Sequence, residues 1–145
     1  MIAYLLFFVL GWLNDSFCQK KWDGGGGDNL WMNALNWSND TLPSDGDSLL
    51  LDNSFVNSNY SVVLPDGIEN ITVLGIRIQP TLAFNIQLGV PANNTAVPAL
   101  SISGQPGLCL ERGAVFLNGS GASSGTVLAV TDSIIIMNGA RFIQN

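Results

Sequence analysis

The sequence contains no histidine and very little charge of either sign. Lys and Arg together number 5, and charged residues make up 11% of the 145 residues. A catalytic cysteine needs a nearby base, so the absence of histidine argues against Cys–His chemistry. The net charge of −6 also disfavours a nucleic-acid partner, because phosphate binding requires clustered Lys or Arg.

Cysteine is almost as scarce, with 2 residues, Cys18 and Cys109. If Cys18 leaves with an export signal, Cys109 has no partner for an intrachain disulfide. The apolar surroundings of Cys109 are typical of a buried, inert thiol. The chain also lacks a phosphate-binding loop, a zinc motif, a dinucleotide fingerprint and a serine elbow.

The first 18 residues have the pattern of a targeting segment. Their apolar run from Ile2 to Leu13 is shorter than the roughly 20 residues of a membrane span, but it suits a secretory signal. Small residues, Ser16 and Cys18, precede a cut before Gln19. We therefore expect a signal peptide at 1–18 and a secreted or cell-surface protein that has no membrane contact after cleavage. The alternatives are a lipid-bearing Cys18, an uncleaved anchor and a buried helix.

Residues 19–47 are rich in tryptophan, glycine and aspartate. The four consecutive glycines from Gly24 to Gly27 cannot form the interior of a helix or a strand. The stretch Pro43–Asp47 has the residues of a turn. This segment is predicted to be an N-terminal cap.

From Ser48 onward, short apolar runs alternate with Gly, Pro, Asn, Asp and Ser. Alternation of single residues, as in Ile76-Arg77-Ile78, is the pattern of a half-buried strand. No later segment keeps a helical period over a dozen residues. Residues 48–145 are therefore predicted to be all-β.

An internal repeat with an offset of 26 residues supports a particular all-β architecture. Residues 108–118 align without gaps onto residues 134–144, and Phe116 falls on Phe142. A repeat of this length, with strands on either side of a Gly-Ala corner, is typical of one turn of a β-solenoid. Chance similarity between strand-rich segments is the alternative. Because the second copy stops at Asn145 without a polar cap, we expect this chain to be part of a longer protein.

The opening segments, Trp22–Ser38 and Leu42–Asn53, resemble the start of large secreted proteins of Bacteroidetes-type bacteria. Those proteins often carry a C-terminal sorting domain for type IX secretion. Gly113–Thr126 is similar to their repetitive β-rich regions. The resemblance implies a right-handed parallel β-helix, and it brings no catalytic residues with it.

The acidic glycine loop is a candidate calcium site. Asp23, Asp28 and Asn29, with freed backbone carbonyls, could supply the several oxygens that Ca²⁺ requires. The alternative is a flexible or capping loop. Ca²⁺ is the one candidate cofactor that the sequence suggests.

Trp22, Trp31 and Trp37 form a second candidate site, because flat aromatic faces stack on sugar rings. The alternative is that these side chains plug the first coil of the solenoid, since tryptophan buries a large apolar area.

The leading functional hypothesis is a non-enzymatic structural or adhesive module that contacts polysaccharide or other cell-surface components. One alternative is the N-terminal part of a polysaccharide lyase or glycoside hydrolase whose catalytic residues lie beyond residue 145. Another is a sugar- or calcium-binding module. No catalytic residue is assigned, because no pair of carboxylates has the context that glycoside hydrolysis requires.

Overall fold

The computed structural model describes residues 19–145, so the signal peptide predicted at residues 1–18 lies outside the described residues. The described part is built from strands, with two short 3-10 helices at Ala34–Asn36 and Ser38–Asp40. This confirms the all-β prediction. The strands are β1 Gln19–Lys21, β2 Ser48–Asp52, β3 Tyr60–Val63, β4 Ile71–Val73, β5 Gly75–Gln79, β6 Ile86–Val90, β7 Leu100–Ile102, β8 Leu108–Leu110, β9 Ala114–Asn118, β10 Leu128–Val130, β11 Ile134–Ile136 and β12 Arg141–Gln144.

The strands form three parallel sheets that are the faces of a solenoid. Sheet 1 has the order β1-β2-β5-β8-β11, sheet 2 the order β10-β7-β4, and sheet 3 the order β12-β9-β6-β3. From β2 to β12 the chain visits the three sheets in rotation, and from β5 onward each strand pairs with the strand one coil earlier. With one strand of the four-stranded sheet 3 in each coil, the solenoid has about four turns.

The register of neighbouring coils matches the internal repeat found in the sequence. Ile135 pairs with Cys109 in sheet 1, and Phe142 pairs with Phe116 in sheet 3. The glycines that align in the two copies, Gly113 and Gly139, both have a φ of 86°. Glycine adopts this conformation without the steric cost that a Cβ would bring. The repeat is therefore one coil, and the backbone has the same conformation at the corner between sheets 1 and 3 in both copies.

The core is a set of apolar rows that run from coil to coil. In sheet 1, Leu51, Ile78 and Leu110 are aligned by the strand register, and each is fully buried. In sheet 3, Leu88 lies beside Phe116 and both are fully buried. Full burial of such a side chain contributes roughly 1.5–3 kcal/mol. The shared apolar interior holds the coils together.

The cap segment, residues 19–47, closes the first coil. Its first strand, β1, is itself part of a solenoid sheet. Strand β1 pairs with β2, so sheet 1 starts at Gln19 rather than at Ser48. Leu30 forms a parallel bridge with Val63, which adds the segment around it to the edge of sheet 3. Lys20 lies in register with the buried Leu49, and its ammonium donates to the backbone oxygen of Ser38 at 3.1 Å. Strand β1 was not predicted, because Gln-Lys-Lys has no apolar alternation.

Among residues 19–145, neither short helix has the length or the apolar character needed to cross a bilayer.

Candidate functional site: a polar groove along sheet 3

The three tryptophans of the cap lie inside the core. Trp22 and Trp31 are 1% exposed and Trp37 is 0% exposed. Trp37 makes edge contacts with both of the others, at centroid distances of 5.0 Å and 4.9 Å. Its indole nitrogen donates to the backbone oxygen of Trp31 at 2.8 Å. At these exposures the rings offer almost no face for stacking on a sugar, and they form the apolar end of the core.

Asp28, one of the predicted calcium ligands, accepts three hydrogen bonds from the protein. Its Oδ1 accepts from the backbone nitrogen of Leu30 at 2.9 Å and from the amide of Asn36 at 2.7 Å, and its Oδ2 accepts from the amide of Asn33 at 2.9 Å. These hydrogen bonds hold the pKa of the Asp28 carboxyl below its ordinary value, and the bond from the Leu30 backbone has the largest effect. The carboxylate therefore orders the loop that contains it.

Asn36 is the centre of the same loop, and it is fully buried. Its side-chain oxygen accepts from the backbone nitrogen of Gly26 at 3.0 Å, and its amide also donates to the backbone oxygen of Leu30 at 3.1 Å. Its backbone oxygen accepts from the nitrogens of Asp23 and Gly24. Buried polar groups need such partners, and here they fix the glycine loop.

The other two predicted calcium ligands also serve the fold. Asp23 accepts from the backbone nitrogen of Gly25 at 3.0 Å, and the backbone oxygen of Asn29 accepts from the nitrogen of Val63 at 2.8 Å. In the described part of the chain, no three His, Cys, Asp or Glu side chains are grouped closely enough to hold a metal ion. Calcium binding at this loop stays a prediction.

A shallow groove of about 660 Å³ lies between the glycine loop and the outer face of sheet 3. Its floor is a row of side chains from four successive strands, aligned by the strand register. In order along the solenoid, these residues are Ser61, Gln87, Val115 and Arg141. The groove therefore runs along the stacking direction of the coils.

The walls of the groove come from the cap and from the residues that precede β3 and β6. Gly24, Gly27, Asp28 and Asn29 line the groove from the cap, and Asn59 and Asn85 line it just before β3 and β6. The bridge between Leu30 and Val63 brings Asp28 to one end of the row, while Arg141 lies at the other.

Tyr60 supports the wall where the cap meets sheet 3. Its ring stacks on that of Trp22 with centroids 6.3 Å apart and planes inclined by 7°. Its hydroxyl donates to the backbone oxygen of Asp52 at 2.8 Å. Burial, followed by the negative charge of Asp52, raises the pKa of the Tyr60 hydroxyl well above its ordinary range. Tyr60 is therefore a neutral structural group.

The groove offers hydrogen-bonding groups that the fold does not use. Asn59 accepts from the backbone nitrogen of Asn85 at 2.8 Å, which leaves its amide nitrogen available. The side chains of Asn29, Asn85 and Gln87 make no hydrogen bond with another residue of 19–145. Side-chain amides both donate and accept. Among the described residues that line the groove, Asp28 is the only carboxylate, so this part of the lining does not contain the pair of acids that most glycosidases use.

This row of groove residues was not predicted from the sequence, although a signal for it was present. Asn59 and Asn85 are separated by 26 residues, the same offset as the later repeat. Ser61 and Gln87 have the same separation. Extending the repeat towards the N-terminus would have placed these polar residues side by side on neighbouring coils.

The other two arginines lie away from the groove. Arg77 is on the outer face of sheet 1, where its Nε is 3.2 Å from the carboxylate of Glu111. Arg112 is exposed at the corner between sheets 1 and 3, and a Cβ on Gly139 would lie 3.0 Å from its Cγ. Of the three arginines, only Arg141 lines the groove.

Comparison with known proteins finds no matching family model, no matching curated protein and no matching solved structure.

Proposed function

We propose that this chain is a non-enzymatic, structural and adhesive module of an exported protein, which acts at the cell surface or after secretion. The observation that carries this proposal is the groove on sheet 3, which is open to solvent and whose described lining includes four side-chain amides and two serine hydroxyls. Such a lining suits binding to a hydroxyl-rich surface. Among the lining residues in the range 19–145, the one carboxylate is that of Asp28, whose oxygens already accept three hydrogen bonds.

The mechanical part of the role follows from the architecture. Parallel ladders connect every coil to its neighbours, and the apolar rows give the coils one continuous core. In a solenoid of this kind each repeat is stabilised by the repeats beside it. The module therefore acts as a stiff spacer that presents outward side chains at a fixed spacing.

The exported location is supported by the sequence. The apolar run from Ile2 to Leu13 has the length of the hydrophobic region of a signal peptide. The resemblance of Trp22–Ser38 to secreted proteins of Bacteroidetes-type bacteria favours the same location, and it favours a bacterial source.

The test measures adhesion and turnover in parallel. Purified protein is incubated with insoluble polysaccharides and with intact bacterial cells, and the retained fraction is measured after washing. The same preparation is incubated with soluble polysaccharides, and the release of reducing ends and of unsaturated sugars is followed. We expect retention without product. Product formation would favour the carbohydrate-active enzyme instead, and failure to bind any surface would overturn the adhesive role.

A further inference from the structure

We infer that the groove on sheet 3 holds an extended polysaccharide that carries carboxylate groups, with the sugar chain parallel to the solenoid axis. This inference rests on the proposed function and specifies its ligand. Arg141 pairs with a carboxylate of the polysaccharide, and Asn85 and Gln87 bind its hydroxyl groups. The shape of the groove, its unused hydrogen-bonding groups and the position of its one cation each support this assignment.

The shape of the groove fits an extended polymer. Its floor crosses β3, β6, β9 and β12, one strand in each coil, so it follows the solenoid axis. Adjacent strands are spaced by about 4.8 Å, and the four spacings from Asp28 to Arg141 therefore span roughly 19 Å. That length accommodates several sugar units. Because the rung spacing is close to the length of one pyranose unit, successive sugars meet successive coils.

The unused polar groups fit the hydroxyl groups of sugars. Asn85 and Gln87 are on one coil, two residues apart, and both point their amides away from the core row that contains Ile86. Each amide presents a donor and an acceptor, which matches a hydroxyl group that both donates and accepts. Asn59 and Ser61 occupy the equivalent positions one coil earlier. The same two-residue pattern is therefore repeated along the groove.

An apolar position separates the amides from the cation. Val115 lies in register between Gln87 and Arg141, and it is 4% exposed. Because so little of Val115 is exposed, the polar contacts that the groove offers at this end come from Gln87 and Arg141.

Arg141 determines the charge of the ligand. Its side chain is exposed, and the ion pairs found among residues 19–145 join Lys21 to Asp52 and Arg77 to Glu111. A planar guanidinium with several donors binds a carboxylate by two parallel hydrogen bonds. Asp28, at the opposite end, is held by three hydrogen bonds within the cap. The groove therefore has one cation ready for a ligand, at its β12 end.

The experiment compares acidic oligosaccharides with neutral counterparts. The acidic probes are oligomers of galacturonate, of alginate and of hyaluronate, and the neutral probe is the fully methyl-esterified galacturonate oligomer. Dissociation constants are measured by calorimetry for the unaltered protein and for three variants. Arg141→Gln removes the cation, Gln87→Ala removes one amide, and Arg112→Gln removes the same charge outside the groove.

We expect at least one acidic probe to bind, and Arg141→Gln to weaken that binding by about tenfold, as for the loss of one charge-assisted hydrogen-bonding pair. Arg141→Gln should leave binding of the esterified probe unchanged. Gln87→Ala should weaken binding of the acidic probe and of the esterified probe alike. Arg112→Gln should change affinity less than twofold. Circular dichroism and the melting temperature of each variant establish that it is folded.

Four outcomes would overturn the inference. Equal losses for Arg141→Gln and Arg112→Gln would mean that only the overall charge matters. Binding that no groove variant alters would place the ligand elsewhere. Retention of the protein on cell surfaces without binding of any acidic probe would reject this ligand while the adhesive function stands. A protein that binds neither surfaces nor oligosaccharides would overturn both proposals.

Discussion

The ring of Phe142 stacks on the ring of Phe116, with centroids 5.0 Å apart and planes inclined by 23°. The two side chains occupy the same position in neighbouring coils of sheet 3. Phe116 is fully buried, whereas Phe142, in the last described strand, is 37% exposed. Phe116 is buried because it lies between Leu88 and Phe142, which belong to the coils on either side of it.

Phe116→Ala should lower the free energy of unfolding by about 3–5 kcal/mol, because it removes a buried ring and leaves a cavity between Leu88 and Phe142. Phe116→Asp should abolish folding, since it buries an unpaired carboxyl. Urea unfolding followed by tryptophan fluorescence measures both. Phe55→Ala is the matched control: Phe55 is 61% exposed, and we expect a change within about 0.5 kcal/mol. Equal effects at the two sites would remove Phe116 from the core.

Asn36→Ala should destabilise the cap by roughly 2 kcal/mol, because the backbone nitrogen of Gly26 and the oxygen of Leu30 lose their partner in a buried environment. The emission of Trp37, the next residue, should shift to longer wavelength as the cap opens. The midpoint of urea unfolding, measured by fluorescence and by circular dichroism for Asn36→Ala and for the unaltered protein, tests the loss of stability. Asn57→Ala is the control, since Asn57 is exposed. An unchanged midpoint for Asn36→Ala would mean that the glycine loop holds its conformation without Asn36.

Gly113→Ala should destabilise the protein by about 2 kcal/mol or more, because a residue with a Cβ pays a steric cost at positive φ. The φ of Gly113 is 86°, and a Cβ there would lie 2.8 Å from the backbone oxygen of Phe84. Thermal unfolding by calorimetry measures the loss. At Gly46, φ is not positive and a Cβ would meet nothing within 4 Å, so Gly46→Ala should be neutral or stabilising by about 0.4–1 kcal/mol. Similar losses at both positions would contradict the strain at the corner.

The stability of the cap should depend on acid pH through Asp28. Its pKa in the folded protein lies below the ordinary value of 3.8, so the unfolded chain binds this proton more readily than the folded chain does. The contribution of Asp28 to stability is therefore complete above the unfolded pKa, and it is lost as the pH falls through the folded pKa. Urea midpoints measured from neutral pH into this acid range should decline less steeply in Asp28→Asn than in the unaltered protein.

The control for this pH dependence is Asp66→Asn. Asp66 is exposed, and its side chain makes no hydrogen bond within the described range 19–145. The urea midpoints of Asp66→Asn should therefore show the same pH dependence as those of the unaltered protein. Identical curves for Asp28→Asn and the unaltered protein would show that the three hydrogen bonds do not favour the ionised form.

The repeat could be predicted to the residue, whereas the site could not. The alignment of residues 108–118 with residues 134–144 matches the strand register of β8 with β11 and of β9 with β12. Earlier coils differ in loop length, so the separation of paired residues also differs. Ile76 pairs with Leu108 in sheet 1, which is a larger separation than that of Ile86 and Ala114 in sheet 3. Because insertions between strands change the offset, the 26-residue period joins Ser61 to Gln87 but does not continue from Gln87 to Val115, so it does not connect the whole row.

The cap illustrates the same limit. The glycine run and the three tryptophans identified the segment, but their chemistry suggested a calcium loop and a sugar platform. The structure turns Asp28 towards Asn33 and Asn36, and it buries the indole rings under the first coil. Which face of a tryptophan is open depends on contacts with residues such as Tyr60, and these are remote in sequence.

The sequence by itself determined the strand-and-turn class, the stacking of coils and the pairing of Phe116 with Phe142, because neighbouring coils pack well only when like residues fall at like positions. The tertiary structure alone decided that Asp28 and Arg141 lie at opposite ends of one groove. That relationship depends on how every intervening coil is spaced and on how the cap folds back onto sheet 3, and neither is recorded in any local pattern.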